Sequence, residues 1–102
     1  MNKPSVPNVN YRLPVVLMHE GNYFVAYTPA LDLSVQGKTK VQVQERFGEA
    51  VQLFFEELHR MGTMNEVLEE LGWVKLPSKA WQPPTVIDDS PKEIEVPVPA
   101  YA

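Results

Sequence analysis

The feature that most constrains the fold of this chain is an amphipathic stretch from Thr39 to Met61. Its apolar residues recur at the spacing of one helix face: Phe47, Val51, Phe54 and Leu58, flanked by Val43, Ala50 and Met61. This spacing predicts a helix that turns one side toward a core. Thr39 is a favourable N-cap, and Gln42 follows three residues later, as in a capping box. Such a helix of about 20 residues is ~30 Å long, the width of a small domain.

The residues before the helix carry the signals of three short strands. Tyr11 to Met18 predicts the first strand, in which Pro14 favours an edge position or pairing that begins after it. Tyr23 to Thr28 predicts the second strand. Residues 19–22 predict a tight connection, in which Gly21-Asn22 favours a hairpin between the two strands. Residues 29–32 break the second strand, and Leu33 to Gln36 predicts the third. We therefore expect a sheet laid on the long helix.

The residues after the long helix predict a short helix first and a proline-rich tail after it. Gly62 predicts the end of the long helix, and Thr63 with Glu66 favours a capping box that starts a second, short helix. The segment 73–76 is compatible with a fourth strand or a buried turn. Beyond it the chain is proline-rich, since six of the ten prolines lie between residues 77 and 99. Within this tail Ile94, Val96 and Val98 alternate with other residues, which is typical of a strand at a sheet edge.

These elements predict an α+β fold. A small antiparallel sheet of three to four strands packs on one long helix, in the order β-β-β-α followed by a short helix or strand. The predicted organisation is a flexible arm at 1–9, an α+β domain at 10–76 and a proline-rich tail at 77–102 that ends in an edge strand. The predicted core comprises Val16, Phe24, Ala26, Leu33, Phe47, Val51, Phe54, Leu58, Leu68 and Leu71.

Charge and composition narrow the classes of function. The net charge is −4 and no cluster of Lys and Arg occurs, so phosphate neutralisation by this chain is not expected and duplex DNA is not a predicted partner. An acidic balance suits a basic protein partner, and equally suits solubility alone. The lack of cysteine fits a reducing compartment. Residues 1–10 carry no apolar signal core, and the apolar run 13–18 is too short to span a bilayer. We therefore expect a cytoplasmic protein that does not bind membranes.

The region from Tyr23 to Leu58 resembles the N-terminal domain of HicB-family antitoxins and of HicB-like proteins of unknown function. The shared pattern is an aromatic strand with a following proline, a short strand that leads into Gln36-Gly37-Lys38-Thr39, and a helix rich in Glu and Ala. The resemblance implies a truncated ribonuclease H-like fold. It also implies a role in a toxin–antitoxin system, in which the domain binds and neutralises a small basic ribonuclease toxin of the HicA type.

The chain departs from the HicB pattern in two places. The C-terminal DNA-binding domain that many HicB proteins carry has no counterpart after Trp73. Lys38 stands where an acidic residue is usual in the family. Two alternatives therefore stay open beside the antitoxin: an orphan dimeric domain that binds a protein or a ligand, and a degenerate ribonuclease H-like nuclease.

A nuclease of this class needs several carboxylates that converge on two metal ions. The strands offer only Asp32, with Glu20 in a predicted turn next to His19. His19 and His59 lack the spacing of metal ligands. We therefore predict no enzyme activity, no cofactor, and no catalytic, cofactor-binding or metal-binding residues.

The remaining candidates concern interaction. Trp73, close to a helix end, is expected in the core. Trp81 is either an anchor for a partner or a residue that fixes the tail to its own domain. The predicted oligomer interface consists of Ile94, Val96, Val98 and Tyr101. Because a lone strand is not stable, we expect the tail to pair with a sheet edge of a neighbouring subunit, although it could also fold back on its own sheet.

Overall fold

The computed structural model of the protein describes residues 10–99, so that the predicted arm at 1–9 and Tyr101 lie outside the described residues. The elements in chain order are β1 (Val16–Glu20), β2 (Tyr23–Thr28), β3 (Leu33–Gly37), α1 (Lys40–Met61), α2 (Met64–Glu70), β4 (Val74–Lys75) and β5 (Trp81–Gln82). β1, β2 and β3 form an antiparallel sheet in that order, and β4 and β5 form a separate hairpin. The predicted α+β fold, with a three-stranded antiparallel sheet packed on one long helix, is confirmed.

A two-residue turn, Gly21-Asn22, joins β1 to β2, because Glu20 pairs with Tyr23. Gly21 has a φ of 60°, the positive value that a type II′ turn needs at its first central position. The predicted connection at residues 19–22 is therefore too long, since His19 and Glu20 belong to β1. The predicted start of the strand at Tyr11 is wrong, because pairing with β2 begins only at residue 16. The effect predicted for Pro14 is confirmed, since β1 lies at the edge of the sheet and pairs only after the proline.

Local side-chain bonds set the start of α1. The Thr39 hydroxyl accepts a hydrogen bond from the Gln42 backbone N–H at 3.0 Å, and Gln42 Oε1 accepts one from the Lys38 N–H at 2.7 Å. The helix ends at Gly62, whose φ of 68° is left-handed. Both predicted ends of the long helix are confirmed.

The predicted capping box of α2 is wrong. Thr63 makes no side-chain cap bond, and its φ of −111° and ψ of 12° lie outside the extended region that capping requires. The reason is the close succession of the helices. The Thr63 N–H donates to the Leu58 carbonyl at 3.1 Å as α1 ends, which fixes the backbone before the second helix begins.

The two threonines provide a matched test of capping. Thr39→Ala should lower the free energy of unfolding by about 1 kcal/mol, because it leaves the Gln42 N–H without its acceptor. Thr63→Ala should change it by less than about 0.5 kcal/mol, since no cap bond is lost there. Urea unfolding followed by circular dichroism measures both. Equal losses in the two variants would contradict the assigned caps.

The long helix covers only part of the sheet. It lies over β3 and β2 and leaves β1 largely uncovered. Ala26 and Thr28, on the covered side of β2, are fully buried. Val16, which was predicted in the core, is 43% exposed, because it lies on β1 and its side chain shares the outer face with its partner Tyr27. This offset of the helix creates the uncovered edge that is described below.

The core is centred beyond one end of the sheet. Its buried members are Ala30, Leu31, Leu58, Leu68 and Trp73. The indole N–H of Trp73 donates to the Ala30 carbonyl at 2.7 Å. The rings of Tyr11 and Phe55 lie 5.0 and 6.0 Å from the Trp73 ring. The sequence indicated only a break at residues 29–32, whereas this turn passes under the two helices and is among the most buried parts of the chain.

The predicted core is confirmed only in part. Ala26, Leu58 and Leu68 are buried, and Trp73 is buried as expected. Six further predicted members are half-buried: Phe24, Leu33, Phe47, Val51, Phe54 and Leu71. Met61, which flanks the predicted apolar stripe of the helix, is exposed. With one helix layer on one face of a small sheet, large side chains at the rim keep contact with water.

The β4–β5 hairpin crosses the predicted boundary between domain and tail at residue 76. The Leu76 N–H donates to the Ala80 carbonyl at 2.8 Å and closes the loop, in which Lys79 has a φ of 71°. Regular secondary structure therefore continues beyond residue 76 to Gln82, the last residue of β5. Within the described residues, neither helix combines the length and the hydropathy that crossing a bilayer demands.

Candidate protein-interaction surface

The free edge of β1 is the most apolar part of the surface near the sheet. β1 pairs with β2 alone among residues 10–99, so one side of its backbone carries no strand. The run from Val15 to Met18 is apolar, and each of its four side chains is 38–44% exposed. Unpaired apolar edges promote association between chains, and small proteins usually shield them with charges or prolines. This edge has no such shield along residues 15–18.

A groove lies beside this edge, between β1 and the first half of α1. It has a volume of about 380 Å³. Its lining residues are Val15, Leu17, Ala26, Gln44 and Phe47. The groove is open because α1 lies over β2 and β3, so that no helical side chain covers Leu17 completely.

The strand register shows which residues of β1 face the free edge. In a two-residue hairpin the pair next to the turn exchanges both backbone hydrogen bonds, and bonded pairs then alternate along the ladder. Glu20 and Met18 thus bond to β2, while the N–H and C=O groups of Leu17 and His19 point to the free side. Leu17 pairs with Ala26, whose side chain is buried under α1. The residues with free backbone groups therefore also direct their side chains to the groove.

The tail is the second component of this surface. Ile94, Val96 and Val98 are 77%, 66% and 74% exposed. No hydrogen bond between two backbone groups involves residues 83–99. The radius of gyration is 17.8 Å, against about 13 Å for a compact chain of this length, so part of the chain projects from the body. Up to residue 99, where the described part of the chain ends, the predicted C-terminal strand is not formed, and its pairing with another subunit stays a prediction.

A local turn organises the middle of the tail. Asp88 Oδ1 accepts hydrogen bonds from the Ser90 N–H at 2.9 Å and from its hydroxyl at 2.6 Å, and Lys92 Nζ donates to Asp88 Oδ2 at 2.7 Å. These donors, the lysine first, lower the pKa of Asp88 to about 2. The carboxylate is therefore charged at neutral pH, and the turn stays closed by an ion pair.

Trp81 packs on its own domain. Its ring is half-buried against the core, and Lys75 Nζ lies 5.5 Å from the ring centre. β5, which contains Trp81, pairs with β4. These contacts explain the tryptophan as a residue that fixes the start of the tail. A role as an anchor for a partner stays a prediction.

The two carboxylates that a nuclease of the ribonuclease H type would have to bring together, Glu20 and Asp32, lie far apart. Glu20 is beside the first residue of β2, and Asp32 lies in the turn that follows its last residue, a separation of about 17 Å along the strand. Asp32 Oδ1 instead accepts a hydrogen bond from the Tyr27 hydroxyl at 3.1 Å, which raises the pKa of Tyr27. Over residues 10–99, no group of three or more His, Asp or Glu side chains is placed to hold a metal ion. His19 and His59 are both exposed, on β1 and on the last turn of α1.

An acidic stripe runs along the outer side of α1. Glu45, Glu49 and Glu56 follow at helical spacing on the face opposite the sheet, and all three are exposed. In the described part of the chain none of them forms a salt bridge. The two salt bridges found there join Arg60 to Glu57 and Lys92 to Asp88.

Comparison of this chain with models of protein families, with curated proteins and with solved structures finds no match. The surfaces described above and the motif that resembles HicB proteins are therefore the grounds for a functional proposal.

Proposed function

We propose that this chain is a non-catalytic, HicB-like antitoxin domain that acts in the cytoplasm and binds and neutralises a small basic ribonuclease toxin of the HicA type. The observation that carries the proposal is the place of the HicB-like motif in the fold. The motif, Tyr23 to Leu58, occupies one continuous unit of two paired strands and the helix packed on them. Its residues thus form a single structural module.

The most distinctive part of the motif, Gln36-Gly37-Lys38-Thr39, forms the junction between β3 and α1. Gly37 allows the helix to approach the strand, Thr39 caps the helix, and the Gln36 carbonyl accepts a hydrogen bond from Arg46 Nη1 at 2.9 Å. Two of the four positions have a physical reason for their residue type, the close approach at Gly37 and the side-chain cap at Thr39. This agreement supports a fold-level relationship to HicB proteins over a chance match of short sequences.

The charge of the surface suits a basic partner. The acidic stripe of α1 offers three carboxylates without salt-bridge partners in the described chain, and the whole chain carries a net charge of −4. Opposite charges on two proteins accelerate their encounter and make it sensitive to salt. Duplex DNA, which is itself acidic, is not part of the proposal.

The proposal is tested by co-expression with a small basic toxin of the HicA type, taken from a neighbouring gene where one is present. We expect the chain to relieve the growth inhibition that this toxin causes. Neutralising the acidic stripe in Glu45→Gln, Glu49→Gln, Glu56→Gln removes three negative charges, from −4 to −1. We expect this triple variant to slow association at low salt and to flatten the salt dependence of the association rate.

The matched control is the triple variant Glu66→Gln, Glu69→Gln, Glu70→Gln, which makes the same change in net charge on α2. It should associate faster than the α1 variant. Toxicity that persists at equal expression of the unaltered chain would contradict the antitoxin proposal and favour the orphan binding domain. Equal rates for the two triple variants would show that the stripe on α1 is not the contact.

A further inference from the structure

We propose that the tail segment 93–98 of a second copy of this chain pairs antiparallel with the free edge of β1, and that the exchange is reciprocal in a two-fold dimer. Ile94, Val96 and Val98 of each copy would occupy the groove of the other. This inference is independent of the toxin, because it concerns only the surfaces of this chain.

The prolines make the tail a strand with a single pairing side. Along a strand, the N–H and C=O groups of successive residues point to alternate sides. Pro97 and Pro99 have no N–H, and both occupy odd positions of the tail. The side that carries the backbone groups of residues 94, 96 and 98 keeps all its donors. The tail can therefore add to one sheet edge, and its other side stops further growth of the sheet.

The groove determines the direction of the added strand. In an antiparallel pair, two residues that bond to each other direct their side chains to the same face. The pairing side of the tail would meet Leu17 and His19, so its apolar side chains would lie on the face of Leu17, which is the groove. In a parallel pair, a residue such as Leu17 bonds to the two neighbours of the residue directly opposite it. The residue opposite Leu17 would then be one whose own backbone groups point away from β1. Val96 would therefore lie on the outer face, with Val16 and Met18. Only the antiparallel direction fills the groove.

The position of the tail favours a second copy over the same chain. Residues 12–14 and 84–86 line the same open pocket, so each tail begins near the start of its own β1. A strand that runs antiparallel to β1 must begin beside Glu20, which is the opposite end of β1. The chain's own tail would have to pass the length of the strand, ~17 Å, and reverse. When two β1 edges face each other across a two-fold axis they run in opposite directions, so the tail of the neighbour emerges at the required end.

Disulfide trapping tests this arrangement directly, since the chain has no cysteine of its own. Copies with Val96→Cys are mixed with copies that carry Val15→Cys, Leu17→Cys or His19→Cys, which covers the three registers of the pairing. Bonded neighbours in an antiparallel ladder have Cα atoms about 5.5 Å apart, within the reach of a disulfide. We expect at least one mixture to give a covalent heterodimer of twice 11.6 kDa under mild oxidation.

The control mixture pairs Val96→Cys with Leu53→Cys, an exposed position on α1 away from the edge, and should give no heterodimer. A single chain that carries both Leu17→Cys and Val96→Cys and closes an internal disulfide would overturn the exchange. Absence of cross-linking in all three mixtures, or equal cross-linking with Leu53→Cys, would overturn it as well.

A second measurement uses the alternation of the tail. Val96→Asp places a charge in the groove, whereas Glu95→Gln alters a side chain on the opposite face. By light scattering at one concentration, we expect the Val96→Asp variant and a chain without residues 93–102 to fall from dimer to monomer mass, while Glu95→Gln keeps the dimer. Circular dichroism confirms that each variant is folded. A dimer that survives both the deletion and Val96→Asp would contradict the proposal.

Discussion

Trp73→Ala is expected to lower the free energy of unfolding by about 3–5 kcal/mol, the largest effect of any substitution considered for this chain. The side chain is only 3% exposed and lies among helices α1 and α2, the 29–32 turn and the ring of Tyr11. Its removal leaves a cavity where these four parts meet. The cavity could close only if whole helices or the turn moved, so the surrounding structure relaxes only in part.

The hydrogen bond of Trp73 can be measured separately from its packing. Trp73→Phe keeps an aromatic ring but leaves the buried Ala30 carbonyl without the indole N–H, at a cost of about 1–3 kcal/mol. Leu53→Ala, at an exposed position of α1, should cost less than about 0.5 kcal/mol and serves as the control. Urea unfolding followed by circular dichroism measures all three. A loss below about 1 kcal/mol for Trp73→Ala would contradict the position of the core.

Gly37→Ala is expected to destabilise the protein by about 1–3 kcal/mol, although Gly37 has no unusual φ. A Cβ at this position would lie 2.7 Å from the backbone N and 2.9 Å from the Cα of Val43. Both atoms belong to the first turns of α1, so the contact cannot be relieved by rotating a side chain. The helix must move away from β3, and its packing on the sheet is weakened.

Gly48→Ala is the matched control for this prediction. Gly48 lies within α1, and a Cβ there meets no atom within 4 Å. Alanine should therefore stabilise the helix by about 1 kcal/mol relative to glycine. The two glycine-to-alanine variants should shift the urea midpoint in opposite directions. A shift of the same sign in both would show that the close approach of β3 and α1 is not as described.

Local signals in the sequence were sufficient for the main elements. The hydroxyl of Thr39 and the flexibility of Gly62 act on the backbone within a few residues, so the ends of α1 could be predicted. The bounds of β2, Tyr23 to Thr28, agree with its aromatic and β-branched residues. The α+β class followed from these elements because their order allows few arrangements.

The apolar alternation of the tail was also visible in the sequence, because it has a period of two over adjacent positions. The strand with which the tail pairs in the proposed dimer was not visible in the sequence. The run Val15 to Met18 is apolar at every position, so its pattern is the same whether a helix, a strand or water covers it. The sequence did not indicate which helix or strand, if any, packs on these residues.

Only the tertiary structure decided which apolar residues became core. Ala30 and Leu31 lie in a turn and give no periodic signal, yet they are buried because α1, α2 and Trp73 converge on them. Val16 shows the opposite case, since its side chain lies with Tyr27 on the outer face of the sheet, away from α1. Leu17 shares the inner face with Ala26 but stays 38% exposed, because α1 packs on β3 and β2 and leaves β1 largely uncovered. Periodicity reports which side of an element is apolar, whereas burial depends on what distant parts of the chain place against that side. The uncovered edge and groove of β1 follow from that placement.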